Sequence, residues 1–260
     1  MIRKLELEEY DISPQVRAFT THRQGGYSVG AYSSFNANSF CGDDEINVRR
    51  NRELLCSDLG ISSDRLIIPH QIHKTLTLKV DEKFISSCPE ERAMLLDGVD
   101  AITTDIPGYC ICVSTADCIP ILIYDPVHHA TSSIHAGWRG TVSSICKHTL
   151  NEMLKNYGTA PQSCVAVIGP GISLKNFEVG DEVYTQFQER GFPMEQISRH
   201  YKKWHIDLFE CNRLQLLNAG IDASHIHVSR ICTYDNHEKF FSARRLGINS
   251  GRILTGIIMK

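Results

Sequence analysis

Three side chains in this sequence pair a metal-binding or nucleophilic atom with a position at the end of an apolar run. His73 ends the polar turn Pro69-His70-Gln71-Ile72-His73. Cys118 follows Asp117 between two apolar stretches, and His135 closes Ala130–Ile134 just ahead of Gly137-Trp138-Arg139-Gly140. Ends of buried strands are where a sheet opens to a ligand. Two imidazoles and a thiolate form a ligand set suited to zinc, and copper shares those ligands. Three protein ligands leave a fourth position for water or substrate, the catalytic arrangement. The same residues would serve a nucleophilic cysteine with a histidine base. A purely structural zinc would close with a fourth ligand, for which His70 is the nearby candidate. The plain alternative is a buried thiol and two hydrogen-bonded histidines, because the three residues lie far apart and carry no short zinc signature. Arg23, Arg139 and the Arg244-Arg245 pair are candidates for phosphate or carboxylate contact, and the glycine-rich helix start at 137–140 could hold an anion.

The elements that must position these residues follow from hydrophobic periodicity. Strands are expected at Val16–Thr20, Leu66–Ile68, Thr75–Val80, Tyr109–Val113, Ile119–Tyr124, Ala130–Ile134, Cys164–Ile168, His225–Ile231 and Arg252–Ile258. Helices are expected over Ile46–Leu59, closed by Gly60, and over Asp181–Arg190. Another runs from the Asp207 cap through Leu217 to Gly220. After His135, one helix would put Val142, Ile145, Cys146, Leu150, Met153, Leu154 and Tyr157 on a single face, ending at Gly158. The irregular order of elements predicts an α+β fold, a layered sandwich of mixed β-sheets with flanking helices, with residues 1–260 as a single domain.

Composition narrows the class. The 260 residues carry a net charge of −3 with both signs interspersed, which argues against a nucleic-acid partner. No run approaches the roughly 18 apolar residues needed to cross a bilayer, and the first ten residues lack a signal-peptide pattern. A cytoplasmic enzyme is expected, without a membrane partner. Its ten cysteines then read as reduced thiols, with Cys56, Cys110, Cys112, Cys146 and Cys164 as small core residues. His225 and His227 would share one face of a strand, and His128-His129 reads as a surface turn.

Gln71-Ile-His73, Thr115-Ala-Asp-Cys118-Ile-Pro120 and His135-Ala-Gly-Trp-Arg-Gly140 occur in that order. Together they resemble the motifs of the polyphenol oxidoreductase (laccase) domain family, the YfiH-type purine nucleoside phosphorylases that include the mammalian relative FAMIN. The likeness extends through Thr21-His-Arg23-Gln-Gly25-Gly26, Asn36, Gly42-Asp43, Asn51-Arg52, Phe177-Glu-Val-Gly180, Cys232-Thr233 and Phe240-Phe-Ser-Ala-Arg-Arg245. It implies a YfiH-like fold and a zinc held by His73, Cys118 and His135, with copper as the alternative metal. It also implies phosphorolysis of adenosine, inosine and methylthioadenosine, with adenosine deaminase activity. On that likeness Arg23, Arg139, Arg245 and Asn36 would contact nucleoside and phosphate, and Asp117 would handle a proton beside the catalytic trio. This chain departs from the family pattern at Lys74, Ser173, Leu174, Ala243 and Leu246.

Two other activities use the same residues. Cys118 as nucleophile with His135 or His73 as base would make an amidase acting on a peptidoglycan precursor. Copper-dependent phenol oxidation would need about ten histidines in paired motifs, a pattern this sequence lacks.

Overall fold

The computed structural model describes residues 4–260, and its architecture follows from strands that alternate between two different cores. Five strands form one sheet in the order β1 (Leu7–Tyr10), β2 (Val16–Thr21), β14 (Ile253–Met259), β6 (Cys110–Thr115) and β3 (Leu66–Ile67). Six form a second sheet in the order β13 (Ile226–Val228), β9 (Val165–Ile168), β7 (Ile119–Asp125), β8 (Ala130–Ala136), β5 (Ala101–Thr104) and β4 (Thr77–Lys79). A small third sheet joins β10 (Glu178–Val179), β12 (Trp204–Ile206) and β11 (Ser198–His200). Both large sheets are mixed. β3 runs parallel to β6, β4 to β5 and β13 to β9, and the remaining pairs are antiparallel.

The period-2 pattern assigns each face to a layer. In β7, Ile119, Ile121 and Ile123 pack with the helices over 145–157 and 208–218, while Leu122 and Tyr124 pack against the five-stranded sheet. In β14, Ile257 and Met259 join the core between the sheets, and Leu254 and Ile258 pack with Leu55 of the helix Glu45–Leu59. The result is a helix–sheet–sheet–helix sandwich, the α+β layered fold expected from the sequence. Burial on both faces explains why β6 and β7 read as continuous apolar runs rather than alternating ones.

Several expected boundaries shift. The strand expected over Tyr109–Val113 runs on through Ser114 and Thr115. The strand expected over His225–Ile231 shortens to three residues, with His225 in a preceding turn. The single helix expected after His135 is two, Trp138–Val142 and Ile145–Tyr157, because Ser144 takes a left-handed conformation at φ 60°. Within the second helix Ile145, Cys146, Leu150 and Met153 are buried, and Leu154 lies on the solvent side at 54% exposure. The five cysteines assigned to the core are all buried, and all ten cysteines are free thiols. No helix among the described residues is long and apolar enough to cross a membrane.

The sandwich positions the site through its crossovers. The chain passes from the five-stranded to the six-stranded sheet between β3 and β4, and again between β6 and β7. It returns between β5 and β6 and again between β13 and β14. His73 lies on the β3–β4 connection and Cys118 on the β6–β7 connection.

β14 is central, hydrogen-bonded to β2 on one side and β6 on the other. A Cβ on its Gly256 would stand 2.3 Å from Cys112 Sγ and 3.1 Å from Phe19 Cζ. Gly256→Val should therefore destabilise the fold by about 1–3 kcal/mol, the usual cost of overpacking a core. Thermal unfolding measures it; an unchanged melting temperature would refute this account of the strand.

Candidate active site

Asp100 organises the site from beneath. It is fully buried, and its carboxylate accepts from the backbone amides of Ile72 (3.3 Å), His73 (2.9 Å) and Lys74 (2.7 Å). Three successive amides turned toward one anion form a nest. The price in conformation is His73 at φ 62°, a left-handed state costing a non-glycine residue about 1–2 kcal/mol. Asp100 also pairs with His135 Nδ1 at 2.7 Å, and its backbone carbonyl accepts from the His135 amide at 2.8 Å. Burial alone would raise the Asp100 pKa. The His135 bond and charge and the amides of Lys74 and His73 outweigh it and hold the carboxyl below its ordinary range.

Two further anchors complete the frame. Gln71 binds β6 with both ends of its amide: Nε2 donates to Ser114 O (2.9 Å), and Oε1 accepts from Ser114 N (2.7 Å) and Oγ (3.0 Å). This fastens the His73 turn to the strand that leads to Cys118. Asp117 sits at φ 90° and accepts from Thr233 Oγ1 and from the Arg244 amide, both at 2.7 Å. That fixes the bend from which Cys118 projects.

With these anchors in place, the ligand atoms of His73, Cys118 and His135 all lie within 4.8 Å of one another. The two imidazole rings meet edge to face with centroids 4.8 Å apart. A Cβ at Gly137 would fall 2.9 Å from His73 Cδ2 and 3.1 Å from Cys118 Sγ, so the first residue after the β8 strand must be glycine for the three to converge. Burial opposes ionisation of Cys118, but His135 and His73 overcome it and bring its pKa to about 6. Burial likewise opposes the charged form of His135, and the Cys118 thiolate and Asp100 raise it to about 9. A thiolate beside imidazoles is the protonation state a metal-binding cysteine needs. Because Asp100 occupies His135 Nδ1, Nε2 is the nitrogen left for a metal, the histidine–carboxylate arrangement common around zinc. The donor set therefore fits zinc or copper.

The trio lines a cavity of about 320 Å³ together with Asn38, Phe40, Cys41, His70, Ser114, Thr115, Ala243, Ile248 and Arg252, among others. That lies at the small end of ligand pockets. His70 contributes to the wall, not to the metal group: its Nδ1 bonds Asp97 at 2.6 Å and its ring stacks on Phe40.

The other residues singled out by the sequence lie outside the cavity lining. Asp117, expected to handle a proton, has both carboxylate oxygens engaged and lines a neighbouring cavity with Arg244. Arg23 donates to Ser33 O and His237 O and covers the Phe241 ring. Arg139 is exposed and lies over Trp138. Arg245 bonds and covers Tyr234. Asn36 is fully buried, donating to Asp43 and Asn38 O and accepting from the amides of Asn38 and Arg252. It holds the wall without reaching the cavity.

Asp100, Asn38 and Arg252 are not singled out by the sequence. Asp100 had a usable signal, a carboxylate directly before the apolar run Ala101-Ile102. Asn38 and Arg252 had none, because only the packing of distant segments brings them to the cavity.

An α+β sandwich that brings His73 and Cys118, on two sheet crossovers, against the buried His135 of β8 defines the class of protein. The family model for multi-copper polyphenol oxidoreductase laccase matches residues 17–260. A purine nucleoside phosphorylase from Bacteroides thetaiotaomicron is 48% identical over 260 residues, covering 99% of this chain and 96% of that protein. Adenosine deaminase RL5, from an unknown prokaryotic organism, is 40% identical over 262 residues, covering 98% and 100%. The crystal structure of YlmD from Geobacillus stearothermophilus matches with a TM-score of 0.90 at 31% identity, covering 100% of this chain and 99% of that one. A Bacillus licheniformis protein, YfiH, matches with a TM-score of 0.88 at 30% identity, covering 95% and 93%. The chain belongs to the laccase-domain family of YfiH and YlmD.

Removing the Asp100 carboxylate frees His135 and opens the nest under His73. Asp100→Ala should weaken zinc binding by about 10–100-fold, read by competition with a chromogenic chelator. Zinc affinity equal to that of the unaltered protein would show that the carboxylate does not organise the ligands.

Proposed function

We propose that this chain is a metal-dependent purine nucleoside phosphorylase with adenosine deaminase activity, acting on adenosine, inosine and methylthioadenosine. The observation that carries the reading is the convergence of His73, Cys118 and His135 within 4.8 Å at a cavity of nucleoside-compatible size. The relatives named phosphorylase and deaminase support it.

Zinc held by the trio would supply Lewis acidity for polarising a purine or activating water, and copper is the alternative occupant. The chain's own residues do the rest. Asp100 keeps the proton on His135 Nδ1 and so presents Nε2 to the cavity. Phe40 and the His70 ring it stacks on offer an aromatic wall to a planar base. Asn38, whose Nδ2 donates to Ser114 Oγ at 2.6 Å, and Gln71 fix the polar side of the cavity. In phosphorolysis a phosphate oxygen forms its bond to C1′ as the C1′–N9 bond breaks. The electron pair leaves on the purine, which takes the proton that monohydrogen phosphate gives up. In deamination, water replaces the amino group at C6 and ammonia leaves.

The thiolate–imidazolium character of Cys118 and His135 supports a second reading, a cysteine-type amidase acting on a peptidoglycan precursor. For a copper phenol oxidase, the described residues offer one three-ligand cluster, whereas multicopper chemistry relays electrons between several sites.

Metal dependence separates the first two. Alanine at His73, Cys118 or His135 should reduce phosphate-dependent base release and deamination by about 100-fold or more in purified protein. A strong chelator should do the same, with zinc restoring both. Base release that survives chelation would reject the metal dependence. Absence of base release, together with chelator-resistant amide hydrolysis that stops on alkylation of Cys118, would reject the phosphorylase in favour of the amidase.

A further inference from the structure

Among the described residues, the cavity holding the trio is lined by no aspartate or glutamate and by a single arginine or lysine, Arg252. Arg252 stands just ahead of β14, whose first residue, Ile253, pairs with Thr115 at the end of β6. Its backbone amide donates to Asn36 Oδ1 at 3.0 Å. The guanidinium is clamped by three carbonyls: Nη1 donates to Ser250 O (2.5 Å) and Gly251 O (3.0 Å), and Nη2 to Ile248 O (3.0 Å). Carbonyl oxygens orient a guanidinium without cancelling its charge. A guanidinium has five N–H donors; with three engaged, Nε–H and one Nη2–H are left for a ligand. The charge also reaches the Cys41 thiol on the same wall, where it works against the upward push of burial.

Thr115 supplies the second observation. It is 1% exposed, it lines the same cavity, and its Oγ1 has no hydrogen-bond partner in the protein. A buried hydroxyl without a partner costs about 1–3 kcal/mol, so it points to a group that arrives from outside. The neighbouring polar groups of Ser114, Gln71 and Asn38 already bond one another.

We infer that Arg252 and Thr115 form an oxyanion subsite that takes inorganic phosphate beside the His–Cys–His cluster. A fixed fork of N–H donors and a hydroxyl match a tetrahedral oxyanion, and no carboxylate among the described residues lines the wall. The inference rests on the phosphorylase reading and gives Arg252 the anion-binding role for which the sequence offered Arg23, Arg139 and Arg245.

The test uses the zinc-loaded full chain with Arg252→Met, Arg252→Lys and Thr115→Val. Binding of inorganic phosphate is measured by calorimetric titration. The KM values for phosphate and for inosine are measured in phosphorolysis, and deamination of adenosine, in which phosphate takes no part, is followed in parallel. Arg252→Met should weaken phosphate binding and raise its KM by about tenfold or more, the scale of a lost charged hydrogen bond. Phosphorolysis should fall far more than deamination, and the inosine KM should shift less than the phosphate KM. Arg252→Lys should recover part of the binding, and Thr115→Val should show a smaller loss in the same parameter. The subsite is overturned by phosphate binding unchanged in Arg252→Met. It is also overturned by parallel loss of both reactions with zinc, or by an unaltered protein that binds no phosphate. Phosphate bound through Arg252 without any phosphorolysis would keep the subsite and reject the phosphorylase reading instead.

Discussion

The site depends on one buried carboxylate. Asp100 collects three amides of the His73 turn and the Nδ1–H of His135, and so ties a ligand on the β3–β4 connection and a ligand on β8 to a single anion. Removing a charge from water is costly unless it is fully hydrogen-bonded, and here every bond that compensates the carboxylate also orients a ligand. The left-handed His73 makes sense only in that context, because the strain is local and the compensating bonds come from a residue 27 positions away. Without Asp100, the turn would have no reason to keep its shape and His135 no fixed tautomer.

The same economy shows in the rest of the frame. Residues that look functional in the sequence also brace the chain. Asp117 holds the bend before Cys118 by bonding Thr233 and the Arg244 amide, and Asn36 ties Asn38 and Arg252 to one amide. Arg23 caps two carbonyls from segments over 200 residues apart. These polar residues bear on chemistry through geometry, and the atoms facing the cavity are few.

Much of this was legible in the sequence. The apolar runs at 109–113 and 119–124 and the caps at Gly60 and Asp207 gave the elements, because hydrophobic periodicity and cap chemistry are local properties. The helix break at Ser143-Ser144 was hidden, since two serines between buried Val142 and Ile145 leave the apolar rhythm intact. The trio was visible as a candidate from its residue types, and the family motifs, not the spacing, joined it into one ligand set. The role of each arginine was not. A guanidinium reads alike in a string of letters whether it caps carbonyls, covers an aromatic ring or faces a ligand, and only packing over long separations decides which.

The central place of β14 bears on how the protein comes into being during synthesis. His73, Cys118 and His135 leave the ribosome more than a hundred residues ahead of Arg252, yet β2 and β6 meet only through β14. A nascent chain that already displays its thiol and imidazoles thus has two half-sheets with bare edges and no closed wall beside them. Pairings of such long sequence separation form late and slowly. During that interval the exposed strand edges need protection from other chains, and the cluster is open to any thiophilic ion that reaches it first.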